Sequence, residues 1–343
     1  MINFWNTLKE NFVGLAPMDG VTDHIYRYII AKYGKPDFIM TEFTAAEGLA
    51  HNAIKLLEQL KYDETERPIV AQIFGLDPES FYVAAIIVSE LGFDGIDINM
   101  GCPAKKVSGR GAGAGLIQNP ELAGKLIEAV QAGVKDYADG KVSLKDLKIK
   151  KKMKDAILEA IEKHPKIEKR EIPVSVKTRI GYEKENIEKW IKHILSYSPA
   201  VITVHGRTFK QMYSGEADWD IIAKAVVLAK DSNTIIIGNG DVQNRADAEE
   251  KCVKYGTDGV MIGRATFGNP WVFKNKESSF KERVALAIDH CSKFEKEVGE
   301  NYFFVMRKYL GWYIKGHPRA KELRMKLMQA NNTSEVKDIL KDI

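Results

Sequence analysis

The sequence predicts an α/β fold, a closed (β/α)₈ TIM barrel with a C-terminal all-helical domain, and three observations predict it. The chain of 343 residues is long enough for a barrel of about 250 residues with an appendage. Eight short β-rich runs alternate with helical stretches, which is typical of βα units around a parallel sheet. After residue 275 the β-rich runs stop and helical segments follow. A doubly wound open sheet is the competing interpretation.

The eight predicted strands span residues 12–18, 37–42, 68–75, 95–101, 173–178, 200–206, 234–240 and 258–264. The helices between them carry end signals. In "DPESFYVAAIIVSELG", Asp77 is a possible N-cap, Pro78 lies in the first turn and Gly92 closes the helix. We therefore expect a barrel over residues 1–275 and a helical domain over residues 276–343.

The connection after the fourth strand is unusually long and charged. Residues 135–171 contain 12 Lys and Arg against 8 Asp and Glu, and they read as an insertion with helical periodicity. Its basic cluster consists of Lys148, Lys150, Lys151, Lys152 and Lys154. A solvated helix face would also explain this cluster.

Positive charge is concentrated outside the barrel body. The tail from residue 276 has 14 Lys and Arg against 10 Asp and Glu, a net charge of +4, and the insertion has the same net charge. The whole chain has a net charge of only +4. The remaining body is therefore at −4. Within residues 303–328, seven basic residues face one acidic residue and are interleaved with aromatic residues that we expect to form a helical core. This distribution suits contact with RNA or another polyanion.

The composition also limits the compartment and the chemistry. The chain lacks an uncharged stretch of about 18 residues that could span a bilayer, and its first residues do not resemble a secretory signal, so we expect a cytoplasmic protein. Three widely spaced cysteines fit neither a disulfide framework nor a metal site. We expect no metal and at least one free, functional thiol.

Polar residues gather at the C-terminal ends of the predicted strands, where a barrel of this kind holds its site. In chain order they are Ala16, Pro17 and Met18, then Gln72, Asn99, Lys177 and Arg179, then His205 and Arg207, then Asn239, Gly240 and Asp241, and finally Gly263 and Arg264. Each one alone could be an ordinary loop residue. Their convergence on one face predicts a polar ligand that touches the whole mouth.

The residue types indicate what that ligand is. "GNGD" and "IGRA", after the seventh and eighth strands, offer glycines, backbone N–H groups and an arginine for a phosphate. Lys177, His205 and Gln72 are hydrogen-bonding groups suited to a planar ring with carbonyl oxygens and nitrogens. A mononucleotide cofactor, FMN, fits best, because no strand-linked G-x-G-x-x-G motif is present for a dinucleotide.

Taken together, five motifs resemble the tRNA-dihydrouridine synthase family, with bacterial synthase B the nearest. They are "INMGCPAKKVSGRGAGAG", "VKTRIG", "VHGRT", "GNGD" and "MIGRATFGNPWVF". The resemblance runs through the whole chain in order, and the motif around Cys102 is its most specific part. The charged insertion departs from the family pattern and leaves substrate preference, or an extra partner, open.

The resemblance implies that reduced FMN saturates the C5–C6 bond of a uracil base in tRNA, with NADPH as the usual reductant. Hydride passes to C6, and Cys102 donates a proton to C5 from a glycine-rich loop. An ordinary thiol, with a pKa of about 8.5, is mostly protonated at neutral pH and can donate. A buried inert thiol and a nucleophilic cysteine are the alternatives for Cys102. Cys252 and Cys291 lie on helical stretches and are expected to be packing residues.

A stacked uridine must be turned out of the RNA to reach such a site, so a broad basic surface is expected. The candidates near the mouth are Lys105, Lys106, Arg110 and Arg179. The candidates in the tail are Arg307, Lys308, Lys315, Arg319, Lys321, Arg324 and Lys326. Two rival functions stay open: an FMN barrel reductase for a free small molecule such as dihydroorotate or an enone, and a flavin-free RNA-binding protein. We expect a monomer.

Overall fold

The strands of this computed structural model close into a barrel. The structure describes residues 3–341 and 343, apart from the side chains at positions 105 and 106. The strands are β1 (Phe12–Leu15), β2 (Phe38–Met40), β3 (Thr44–Ala45), β4 (Ile69–Phe74), β5 (Gly95–Met100), β6 (Val174–Arg179), β7 (Val201–His205), β8 (Ile235–Asn239) and β9 (Gly259–Ile262). All pairings are parallel. β1 pairs with both β2 and β9, and β2 pairs in turn with β4, so the wall strands form a closed ring and the open-sheet alternative is wrong.

Eight strands form the wall, and each matches a predicted one to within a few residues. β2 pairs directly with β4, whereas β3 is a two-residue addition beside the C-terminal end of β4. β4 and β5 are buried along almost their whole length, as expected for strands covered on both faces.

Helices surround the wall in the expected alternation. They are α1 (His24–Tyr33), α2 (Ala46–Ala50), α3 (Pro78–Glu90), α4 (Lys105–Ser108), α5 (Pro120–Ala138), α6 (Lys151–Ile161), α7 (Ile187–Leu195), α8 (Trp219–Ala229) and α9 (Arg245–Tyr255). Short 3₁₀ helices span Phe4–Thr7, Ile54–Leu60, Glu64–Glu66, Gly113–Gln118, Arg264–Thr266, Pro270–Lys274 and Glu300–Met306. Asp77 caps α3 as predicted, because its carboxylate accepts the N–H of Ser80 at 3.0 Å.

Strand register places the polar strand ends at one level. Asn99 of β5 lies opposite Lys177 of β6. His205 of β7 lies opposite Arg179 of β6 on one side and Asn239 of β8 on the other. The sheet itself therefore assembles the polar face that the sequence predicts.

The tail is helical and packs onto the barrel. It contains α10 (Phe280–Val298), α11 (Arg307–Tyr313), α12 (Ala320–Leu327) and α13 (Thr333–Leu340). Tyr309 stacks on Tyr26 of α1, with ring centroids 5.4 Å apart, and its hydroxyl donates to Asp23. At Gly268, φ is +69° and an added Cβ would lie 2.5 Å from the Trp312 carbonyl oxygen, so glycine is required where α11 meets the barrel.

The insertion is an ordered layer on the flank of the barrel. Five of its apolar residues, Leu144, Leu147, Ile149, Met153 and Ile157, are buried in the main core. The lysines of the same segment face outward. Among the described residues, no helix is long and apolar enough to cross a membrane.

A buried ion pair ties α1 to the segment before β4. The side chains of Arg27 and Glu66 are both fully buried, with Nε and Oε2 2.8 Å apart, and Arg27 also donates to the Thr22 and Lys61 carbonyls. Removing one partner leaves an uncompensated buried charge.

We expect Arg27→Leu to lower the free energy of unfolding by about 3–5 kcal/mol in urea titrations. Lys32 lies on the same helix as Arg27 and forms a half-exposed ion pair with Asp289 of the tail. Lys32→Ala removes this pair and should lower the free energy of unfolding by at most about 1 kcal/mol. Equal effects of the two substitutions would contradict the importance assigned to the buried pair.

Candidate active site

One large cavity of about 1170 Å³ opens at the C-terminal ends of the strands. Its wall includes the strand-end residues Ala16, Pro17, Met18, Asn99, Lys177, Arg179, His205, Asn239, Gly240, Asp241, Gly263 and Arg264, together with Cys102. Trp312 and Lys315, from α11 and the turn after it, complete the rim. The barrel and the tail therefore share the cavity.

A buried chain of hydrogen bonds lies under the floor of the cavity. The Asn99 amide donates to Gln72 at 2.8 Å, and the Gln72 amide donates to the Asp97 carboxylate at 2.7 Å. Ser175 donates to the other Asp97 oxygen at 2.6 Å. Burial raises the pKa of Asp97 to about 6, although these hydrogen bonds act in the opposite direction. Gln72 is fully buried and does not line the cavity, whereas Asn99 does.

Asn99 also positions Cys102. The Asn99 side-chain oxygen accepts the backbone N–H groups of Gly101 and Cys102, at 3.1 and 2.9 Å. The Cys102 carbonyl in turn accepts the N–H of Ala114 at 3.2 Å. The thiol is half-buried and faces the cavity from a backbone that is held on both sides.

Lys177 projects from β6 toward β8. Its Nζ donates to the Asn239 side-chain oxygen at 3.0 Å, and the Asn239 amide nitrogen donates to the Met261 carbonyl, which fixes the orientation of that amide. Burial, together with the charge of Arg179, lowers the pKa of Lys177 to about 8, and the charge of Asp97 opposes the shift.

His205 is surrounded by cations and stays neutral. Burial and the charges of Arg179, Lys177 and Arg207 hold the pKa of its imidazole well below the ordinary value. One ring nitrogen of a neutral imidazole can accept a hydrogen bond while the other donates. His205 can therefore serve as a hydrogen-bonding partner for a ligand.

Arg179 is placed differently from the expectation for an RNA contact. It is 3% exposed, and its guanidinium donates to the carbonyls of Gly101, Thr208 and Met212. The pKa of Arg179 is lowered to about 10, mainly by burial. We assign it to holding the loops around Cys102, because its Nε and Nη1 groups donate to backbone carbonyls of those loops.

Arg207 also lies behind the cavity wall. It is 2% exposed and pairs with Asp241 at 2.5 Å. Asp241 then pairs with Arg264 at 2.8 Å. Arg264 is half-exposed on the cavity rim and lies over the Tyr213 ring, 5.4 Å from its centroid. Arg207 thus supports the rim through Asp241, and Arg264 is the arginine that faces the cavity.

The predicted RNA contacts of the tail fall into two groups. Four have partners within the protein: Arg319 and Lys326 pair with Glu322, Arg307 donates to Ala330 and Asn331, and Lys308 donates to the Gly20 carbonyl. Lys315, Lys321 and Arg324 are exposed and form no ion pair within the described part of the chain. Arg110 is exposed near the mouth, and the side chains of Lys105 and Lys106 lie outside the described residues.

Sequence reasoning missed the Asp97 and Ser175 pair, Tyr213 and the rim role of Trp312. A signal existed for Asp97, since a carboxylate inside the apolar run "GIDINMG" must find buried partners. For Trp312 the sequence held no such signal, because its place depends on how α11 docks.

The fold and the cavity define a class of protein, a TIM-barrel enzyme with its site at the C-terminal face. Solved structures support this fold. A 2-naphthoyl-CoA reductase complexed with 2-naphthoyl-CoA superposes with a TM-score of 0.53 at 9% identity, over 91% of this chain and 55% of that one. The DHODH of Eimeria tenella, complexed with ferulenol, superposes with a TM-score of 0.50 at 13% identity, over 82% of each chain.

Sequence comparison is more specific. The family model described as "Dihydrouridine synthase (Dus)" matches residues 14–164 and 152–343. A "Probable tRNA-dihydrouridine synthase" of Staphylococcus epidermidis is 35% identical over 98% of this chain and 95% of its own length. A "Probable tRNA-dihydrouridine synthase 2" of Bacillus subtilis is 35% identical over 99% of this chain and 96% of its own.

The chain therefore belongs to the dihydrouridine synthase family. The resemblance found in the motifs is confirmed. Membership in this family supports the assignment of the chain as an oxidoreductase that reduces uridine in tRNA.

The Lys177 ammonium should titrate near pH 8 rather than near 10.5, because it is buried beside a second cation. Asp97→Asn should lower this pKa further, since it removes the negative charge that favours protonated Lys177. NMR titration of the lysine Nζ groups measures both values, and Lys177→Arg identifies the resonance. Titration of Lys177 together with the surface lysines would contradict this assignment.

Proposed function

We propose that this chain reduces specific uridines of tRNA to 5,6-dihydrouridine, with bound FMN as the redox cofactor, NADPH as the reductant and Cys102 as the proton donor. The observation that carries the proposal is the position of Cys102. A half-buried thiol faces a cavity that Lys177, His205 and Asn239 supply with hydrogen-bonding groups.

The cavity fits the cofactor in size and chemistry. Its volume of about 1170 Å³ accommodates a mononucleotide with room for a base beside it. At Gly263 an added Cβ would point into the space between Ala16 and Met18, 3.8 and 3.5 Å from their side chains, so the missing side chain leaves a cradle for a ligand. Lys177 and His205 would meet the polar ring, and Gly263 and Arg264 the phosphate.

When bound and reduced by NADPH, FMN supplies the hydride that adds to C6 of the uracil ring. Cys102 then donates its proton to C5, so one hydride and one proton together saturate the C5–C6 bond. The thiolate left on Cys102 lies near the charges of Lys177 and Arg179, since interaction with Cys102 favours their protonated forms. These cations stabilise the thiolate until it takes a new proton from solvent.

The helical tail supports an RNA substrate. Trp312 and Lys315 reach the cavity rim, so a nucleotide turned out of its stack would enter between the barrel and the tail. A barrel reductase for a free small molecule would not need a basic helical wall at its mouth.

Cys102→Ala should slow flavin reoxidation by tRNA by about 10²–10⁴-fold, the usual contribution of a general acid. The protein is reduced anaerobically with NADPH and mixed with unmodified tRNA, and flavin absorbance is followed. Cys252→Ala is the matched control, because it removes a buried thiol of α9 that does not line the cavity.

Each other outcome has a definite meaning. Reoxidation that ignores tRNA but responds to orotate, the oxidised form of dihydroorotate, or to an enone would favour the small-molecule reductase. Rapid reoxidation by tRNA in Cys102→Ala would show that the Cys102 thiol is not the proton donor. A protein that binds no FMN would favour an RNA-binding role without flavin.

Replacing Lys315, Lys321 and Arg324 together by Gln should weaken tRNA binding and lower its salt dependence by up to about three units of slope. The rate of reoxidation at saturating tRNA should fall far less than it does in Cys102→Ala, because Lys321 and Arg324 lie outside the cavity and Lys315, on its rim, donates no proton to the base. Lys281, Lys337 and Lys341, which are exposed in the same tail, form the control set. A fall in the saturating rate would show that the three side chains also position the base.

A further inference from the structure

A second basic surface lies on the flank of the barrel, away from the tail. We name it the flank lysine cluster and define it as Lys145, Lys148, Lys150, Lys151 and Lys152. All five side chains are exposed. Within residues 141–154 there are seven lysines and one carboxylate, Asp146, which accepts the N–H and hydroxyl groups of Ser143.

The cluster lies toward the mouth of the barrel. The backbone N–H of Lys150 donates to the Asn52 side chain, just beyond α2, and Glu47 of α2 accepts the N–H groups of Leu76 and Asp77 at 2.6 and 3.2 Å. Asp77 caps α3 directly after β4, at the mouth face. The beginning of α6 is therefore close to the rim.

The other end of α6 points toward the bottom of the barrel. His164, just beyond α6, stacks on Tyr62 with ring centroids 4.0 Å apart. Arg170 pairs with Asp94, immediately before the start of β5, at 2.6 Å. The flank lysine cluster and the lysines at positions 163, 166 and 169 therefore occupy opposite ends of one ordered segment.

The cluster is held rigidly and is poorly neutralised. The alternation of buried Leu147, Ile149 and Met153 with outward lysines fixes the direction of the charges. Lys151 pairs with Asp155, whereas Lys145, Lys148, Lys150 and Lys152 form no ion pair among the described residues. Such an arrangement presents a fixed array of cations to solvent.

The placement of these lysines does not favour the stability of the helix. Lys150 occupies the N-cap position of α6 without a side-chain cap, and the first turn contains no acidic residue. Cations at this end oppose the helix dipole and so disfavour the helix. Lys151 is compensated by its ion pair with Asp155, whereas the charges of Lys150 and Lys152 have no such compensation among the described residues and point to a function outside the fold.

We propose that the flank lysine cluster binds the phosphate backbone of the tRNA whose uridine enters the cavity. The inference rests on the proposed function, because it requires RNA at the mouth. Charge complementarity selects the partner: phosphate groups repeat along an RNA strand as the exposed ammonium groups repeat along this flank. The remaining barrel body is acidic overall and offers no comparable attraction.

The test compares two triple variants of the full-length, FMN-loaded protein. One replaces Lys148, Lys150 and Lys152 by Gln, and the matched control replaces Lys163, Lys166 and Lys169 by Gln. Binding of unmodified tRNA is measured by fluorescence anisotropy between about 50 and 200 mM salt. We expect the flank variant to lose up to about three units of salt slope and about tenfold or more in affinity, and the control to lose less than one unit.

The flank variant should keep the wild-type reoxidation rate at saturating tRNA, since its residues lie outside the cavity. Equal salt slopes for wild type and flank variant would overturn the proposal, as would equal losses in both triple variants. Binding of poly-glutamate that the flank variant alone loses, with tRNA binding intact, would assign the cluster to an acidic protein instead. Failure of the wild type to bind tRNA would overturn the proposed function itself.

Discussion

The site depends on one buried carboxylate, Asp97, in the middle of β5. Its two oxygens accept hydrogen bonds from Ser175 of β6 and Gln72 of β4, so it links three neighbouring strands. Gln72 can then accept from Asn99, and this leaves the Asn99 oxygen free to hold the backbone of Cys102. Each hydrogen bond in this series fixes which end of the next amide is the oxygen and which is the nitrogen. Burial of a charged or polar group is tolerated here because every member of the chain has partners.

A second constraint is the concentration of positive charge around a neutral imidazole. Lys177, Arg179 and Arg207 lie close enough to His205 to disfavour its protonation. The two arginines differ from Lys177 in how their charge is held. Arg207 is paired with Asp241, and Arg179 is bound by carbonyl oxygens. Burial lowers the pKa of both Arg179 and Lys177, to about 10 and about 8, so only the pKa of Lys177 comes close to neutral pH. The cavity therefore offers fixed positive charge and neutral hydrogen-bonding groups side by side, which suits a ligand with a phosphate and a polar ring.

Much of the architecture could be predicted from the sequence, because strand position and register follow from short β-rich runs that recur between helices. The polar strand ends were predictable for the same reason. The direction of single side chains was harder to predict, as Arg179 shows, because its sequence context predicted RNA contact rather than a position in the protein interior. It lies two residues after Lys177 on β6, so the alternation of a strand turns both side chains to the same side, toward the barrel interior. The rim position of Lys315 could not be predicted, because it depends on the docking of Tyr309 against Asp23, 286 residues away in sequence.

The distribution of charge connects the fold to the substrate. The tail meets the barrel at the loop after β1, where Lys308 donates to the Gly20 carbonyl, and the flank segment approaches the rim beside the loop after β4. Only β2 separates β1 from β4 in the wall. An acidic body flanked by two basic surfaces repels a polyanion from most of its surface and attracts it at both sides of this part of the rim. The shortest path between the two surfaces crosses the rim above β2, so an RNA that follows it has its phosphates held on either side of this part of the rim while one base turns inward.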